Sequence, residues 1–107
     1  MGRKFNPFEL ELYRTTDEVL HYVWDPIGIS RAPMARAEYH AYLPQVFALL
    51  QEETDSERLA QYLVAIEGER MGLTAHPEHA QVVAALLIAW RAALWDKHAA
   101  LEPPTRE

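Results

Sequence analysis

The chain reads as an all-α protein: a compact bundle of four helices, or five if the second divides at Pro44. Three observations predict this. Apolar residues recur at three- and four-residue spacing in four separate stretches. Helix-starting or helix-ending residues bracket each stretch. No segment shows the two-residue alternation of a half-buried strand. Connections of about three to eight residues join the stretches, so neighbouring helices are expected to pack antiparallel or nearly so. The 107 residues suit one domain, with 6–101 as its ordered core and 102–107 as a tail.

Asn6-Pro7-Phe8-Glu9 reads as the first start, with Asn6 as cap, Pro7 at the first helical position and Glu9 completing a capping box. Leu12, Val19 and Val23 form one row, with Tyr13, Leu20 and Trp24 beside it. Thr15-Thr16-Asp17-Glu18 is a second candidate start, so the helix begins at about 7 or 16. It ends at Trp24, because Pro26 disfavours helical geometry at Asp25.

A second helix is expected from near Pro33 to about Glu53, with Tyr39, Tyr42, Leu43, Val46, Phe47 and Leu50 on its apolar face. Pro44 removes the hydrogen bond to the carbonyl of His40 and should bend or split it. Thr54-Asp55-Ser56-Glu57 then reads as a capping box. It opens a third helix through Leu59, Tyr62, Leu63 and Ile66 to Met71, closed by a left-handed Gly72 with Leu73 folding back. Gly68 inside it costs about 1 kcal/mol relative to Ala, which close approach of another helix would explain. The fourth helix opens at His76-Pro77-Glu78 and runs to about Leu101. Val82, Val83, Leu86, Leu87, Trp90 and Leu94 fall on one side of its wheel, and Ala84, Ile88, Ala92, Trp95 and Ala99 on the other. Two apolar sides imply a helix covered on both, or a protomer that buries one of them in a dimer through Ile88 and Trp95.

Composition narrows the functional classes. A net charge of −6 disfavours phosphate backbones, and the only tight basic cluster is Arg3-Lys4. The same charge favours encounter with a basic protein. Cysteine is absent, which excludes thiolate chemistry and fits a reducing cytosol. No apolar run reaches the ~20 residues of a membrane span, and no secretory pattern follows Met1, so a cytoplasmic location and no membrane partner are expected.

Catalytic patterns are missing. There is no phosphate loop, nucleophile elbow or triad order, and no cofactor is expected. His76 and His79 flank Glu78, and His21 lies four residues before Asp25. Such pairs fall short of the three or four ligands a zinc site needs, so no metal is expected. Glu67 and Arg70 read as a pair on a solvated face. Asp25 is the oddest charge, because an anion at a helix C-terminus opposes the dipole by up to ~1 kcal/mol. Compensation is expected from its own turn, from Arg31 or Arg36, or from the start of the second helix.

Asp17-Glu18-Val19-Leu20, Tyr22-Val23-Trp24-Asp25-Pro26-Ile27-Gly28-Ile29, Ala35-Arg36-Ala37-Glu38-Tyr39 with Tyr42, and Glu69-Arg70-Met71-Gly72-Leu73 resemble a family of small bacterial all-helical proteins of unknown function. That family is marked by a Trp-Asp-Pro-Ile-Gly motif, and the resemblance covers about residues 6–73. It implies a compact helical domain with no established enzyme activity. Some proteins of this general kind resemble immunity proteins of bacterial toxin systems. The expectation is therefore a non-catalytic protein-binding domain, immunity- or antitoxin-like in its most concrete form. Its partner would be a protein such as a basic toxin, met by Trp24, Asp25, Pro26, Ile27 and Gly28 with Glu38, Tyr39 and Tyr42. The competing expectation is a small enzyme, or a metabolite- or metal-binding protein, with a cleft near Asp25, Glu38 and His40.

Overall fold

In the computed structural model, which describes residues 4–28, 35–52 and 54–101, the chain is helical throughout its ordered elements, and no strand occurs among those residues. Five α-helices follow in order: α1 (Pro7–Glu18), α2 (Ala35–His40), α3 (Leu43–Gln51), α4 (Ser56–Ala65) and α5 (Pro77–Leu101). Two of them widen before they stop. α1 continues into a π-helical turn over Val19–Trp24, and α4 into another over Ile66–Arg70.

The first start is the one at Asn6. Its side chain accepts from the backbone N–H of Glu9 at 2.7 Å, and Glu9 Oε1 accepts from the backbone of Asn6 at 3.0 Å. Thr16, in the rival start, lies buried in mid-helix and donates its hydroxyl to the carbonyl of Leu12 at 2.7 Å. That back-bond satisfies a polar group that has no water to turn to.

Pro44 splits the expected second helix. α2 ends at His40, and α3 begins at Leu43 with the proline in its first turn, where a missing N–H costs nothing. The expected start near Pro33 and end near Glu53 lie outside the described residues; α3 closes at Gln51. At α4 the cap is Asp55, whose carboxyl accepts from the N–H of Arg58 at 2.8 Å. Thr54, the expected cap, is instead buried one residue upstream. Gly72 is left-handed as expected (φ 68°), and the N–H of Leu73 returns to the carbonyl of Glu67 at 2.8 Å. Gly68 has open space where a Cβ would sit, so no close helix approach explains it.

α5 is the spine, packed along α4 and α1 and against the first π turn. Its buried row is Ala80, Val83, Ala84, Leu87 and Leu94, drawn from both sides of the expected wheel, while Val82 and Trp90 are exposed. Arg91 explains the difference. Its Nη1 donates to the carbonyl of Leu50 at 2.9 Å and of Thr54 at 3.5 Å, which turns this side chain toward the end of α3. A cation there complements the negative end of the α3 dipole. Around this spine Leu12, Leu20, Leu43, Val46, Leu50, Leu59, Leu63 and Ile66 form one core, each fully buried leucine worth about 1.5–3 kcal/mol over exposure.

Candidate functional site

The two π turns meet. A π turn carries an extra residue that rotates everything after it, and such turns are frequent at functional sites. In α1 the wide turn closes with the N–H of Asp25 bonded to the carbonyl of Leu20 at 3.1 Å. In α4 it closes with Met71 bonded to Ile66 at 3.0 Å. Between them the indole Nε1 of Trp24 donates to Glu67 Oε2 at 2.6 Å, and the second oxygen of Glu67 accepts from the backbone N–H of His76 at 3.0 Å. Both side chains are 1% exposed. One carboxyl therefore ties the end of α1, the end of α4 and the approach to α5 together.

Glu67 is a correction to the sequence reading, which paired it with Arg70 on a solvated face. Its position carried the missed signal. Glu67 stands four residues after buried Leu63 on the inward row of α4, and a buried tryptophan requires an acceptor for its N–H. His79 extends the joint from α5, its Nε2 lying 2.7 Å from the carbonyl of Val23.

Asp25 completes the turn in a left-handed conformation, φ 33° and ψ 58°. Such geometry costs a non-glycine residue about 1–3 kcal/mol and persists only where its surroundings hold it. Here Tyr39 holds it. The phenol donates to Asp25 Oδ1 at 2.6 Å and accepts from the N–H of Ile27 at 3.1 Å. Burial first, and the bond to Asp25 second, push the Tyr39 pKa well above its ordinary value, so the phenol keeps its proton. Among the described residues, one partner of Asp25 is thus an aromatic hydroxyl on α2, which the sequence reading did not name. Arg31 and the side chain of Arg36, the two cations expected to compensate it, lie outside what the structure describes.

The expected binding residues consequently divide. Trp24 and Tyr39 are each 1% exposed and offer a partner no surface; Asp25, Pro26 and Tyr42 are half-buried, with the Tyr42 ring edge-on to Trp24 at 6.4 Å. Ile27, Gly28 and Glu38 are exposed. Beside them the first π turn exposes Tyr22 (60%) and Val23 (37%), two residues the site prediction omitted. Asp25 binds Tyr39, and His40 on α2 lies 3.1 Å from Asp17 of α1.

At the opposite end, Ile88 packs half-buried against the core, and Trp95 is 63% exposed. Phe8 meets the Trp95 ring edge-on at 5.2 Å, and a groove of about 510 Å³ opens beside them. Among the described residues, no group of three His, Cys, Asp or Glu side chains is placed to hold a metal ion, and no helix is long and apolar enough to cross a membrane. No protein family, curated protein or solved structure matches this chain.

Proposed function

We propose that the chain is a non-catalytic protein-binding domain whose contact surface is the exposed rim of the π-turn joint, with an immunity- or antitoxin-like protein as its most concrete form. The observation that carries this reading is the contrast within one short stretch. Trp24, Glu67, Tyr39 and Asp25 spend their polar groups on one another inside the joint, while Tyr22, Val23 and Ile27 stand outside it in solvent. A rigid base under exposed apolar residues lowers the ordering cost of association.

Glu18, Glu38 and Glu78, all exposed, lie on the elements that meet here. With a net charge of −6 they favour a partner that presents cations around an apolar centre. The resemblance in the Trp24–Gly28 segment supports the same direction.

The test is recovery of a partner from native lysate on the immobilised chain, compared with a Tyr22→Arg/Ile27→Arg variant. Both positions are exposed, so the variant is expected to keep its helical circular dichroism and melting point. The expected result is a basic protein retained by the wild type, released as salt screens the contact, and absent from the variant. Equal recovery on the folded variant would overturn the reading.

A further inference from the structure

We infer that the groove beside Trp95 binds small aromatic carboxylates, at a site separate from the π-turn joint. Phe8 and Leu12 of α1, Leu50 at the end of α3, and Arg91 and Trp95 of α5 line it, with the exposed Asp96 also among the lining, and its volume of about 510 Å³ suits a small ligand. Its walls supply the apolar half of the recognition. The exposed Trp95 ring, braced edge-on by Phe8, presents a flat face on which a second ring can stack.

Arg91 supplies the charged half. Among the described residues its guanidinium donates through Nη1 alone, to the carbonyls of Leu50 and Thr54. Those two bonds hold the group at the end of α3 and leave the edge bearing Nε and Nη2 without an acceptor among the described residues. That edge offers the parallel pair of N–H donors that a carboxylate takes in bidentate fashion. Anchored, half-buried and beside an apolar wall, it is pre-organised for an anion in a chain that is otherwise acidic. The ligand class comes from the juxtaposition: one carboxylate joined directly to a flat apolar body.

The probe is naphthalene-2-carboxylate, with naphthalene-2-methanol as its uncharged counterpart. Binding is read from the indole N–H signals of the full chain by nitrogen–proton correlation spectroscopy, and from calorimetry. The carboxylate is expected to shift the Trp95 signal saturably while leaving buried Trp24 in place, and to bind at least tenfold more tightly than the alcohol. Trp95→Ala, at an exposed position, should weaken binding at least tenfold with the melting point unchanged. Arg91→Lys keeps the charge near the α3 carbonyls but removes the fork, and should erase the preference for carboxylate over alcohol. No saturable Trp95 shift below millimolar probe, equal affinity for the two probes, or an Arg91→Lys variant that still prefers the acid would each overturn the inference. The joint variant Tyr22→Arg/Ile27→Arg should bind the probe as the wild type does, so the outcome here is independent of the protein-binding reading.

Discussion

Trp24 and Trp95 are the same residue type with opposite fates. Trp24 is 1% exposed, its N–H committed to a buried carboxyl and its ring set against Tyr39 and Tyr42. Trp95 is 63% exposed beside an open groove, with the edge of Phe8 against its ring. The first end of the bundle consumes its polar chemistry in fastening helices; the second leaves its chemistry facing water. Unusual residues therefore do not by themselves mark an open surface: in the most distinctive segment of the chain, Trp24-Asp25-Pro26-Ile27-Gly28, the Trp24 and Asp25 side chains fasten helices, and the exposed apolar groups are Ile27 within it and Tyr22 and Val23 just before it.

The contrast breaks most sharply on a conservative change made at both ends. Trp24→Phe keeps an aromatic ring but strips the donor from Glu67 Oε2 in a dry interior, which we predict costs about 1–3 kcal/mol. Trp95→Phe should stay within about 0.5 kcal/mol. Urea unfolding with unchanged slope measures both, and equal losses would erase the distinction.

Tyr39→Phe should cost less, about 1 kcal/mol, because it removes a phenol from Asp25 and from the N–H of Ile27 near water. Its signature is local: amide exchange at Ile27 and Gly28 should accelerate while Leu59 and Leu63 stay protected. Uniform acceleration would mean that Tyr39 supports the whole fold rather than the turn.

The smallest effect belongs to the open end. Lys97 and His98 both reach Glu11, at 2.9 and 2.8 Å, and hydrogen bonds from Lys97 and then His98 hold the Glu11 carboxyl below its ordinary range. A carboxyl depressed in the folded state stabilises above its unfolded pKa of about 4.3, and loses that contribution as pH falls through the folded value. The melting-point difference between wild type and Glu11→Gln should therefore be small at pH 7 and shrink toward zero as pH falls below about 4. A difference that grows with acid would reverse the assignment.

Much of the fold was legible because helix boundaries are written locally. Asn6 and Glu9 cap each other within one turn, Pro44 divides the second helix through its own missing N–H, and Gly72 closes the third with its own backbone. The joint was not legible for the opposite reason. Trp24 and Glu67 are 43 residues apart, and their bond exists only once α1 and α4 lie side by side. A glutamate followed three residues later by an arginine reads as a surface pair at short range, and only burial shows otherwise. The inward face of α5 was missed likewise, since a wheel drawn on hydrophobicity leaves Arg91 outside the core although its guanidinium closes α3 from within.

The paired π turns carry one more consequence, which concerns length rather than chemistry. Each turn holds a surplus residue absorbed by its wider winding, so excising a single position between Val19 and Trp24 lets that stretch rewind to ordinary pitch with the downstream residues in nearly the same phase around the axis. The indole would then keep its aim at α4, and Leu12 and Thr16 their seats. A single deletion within either wide turn is thus the genetic event this joint is best built to absorb.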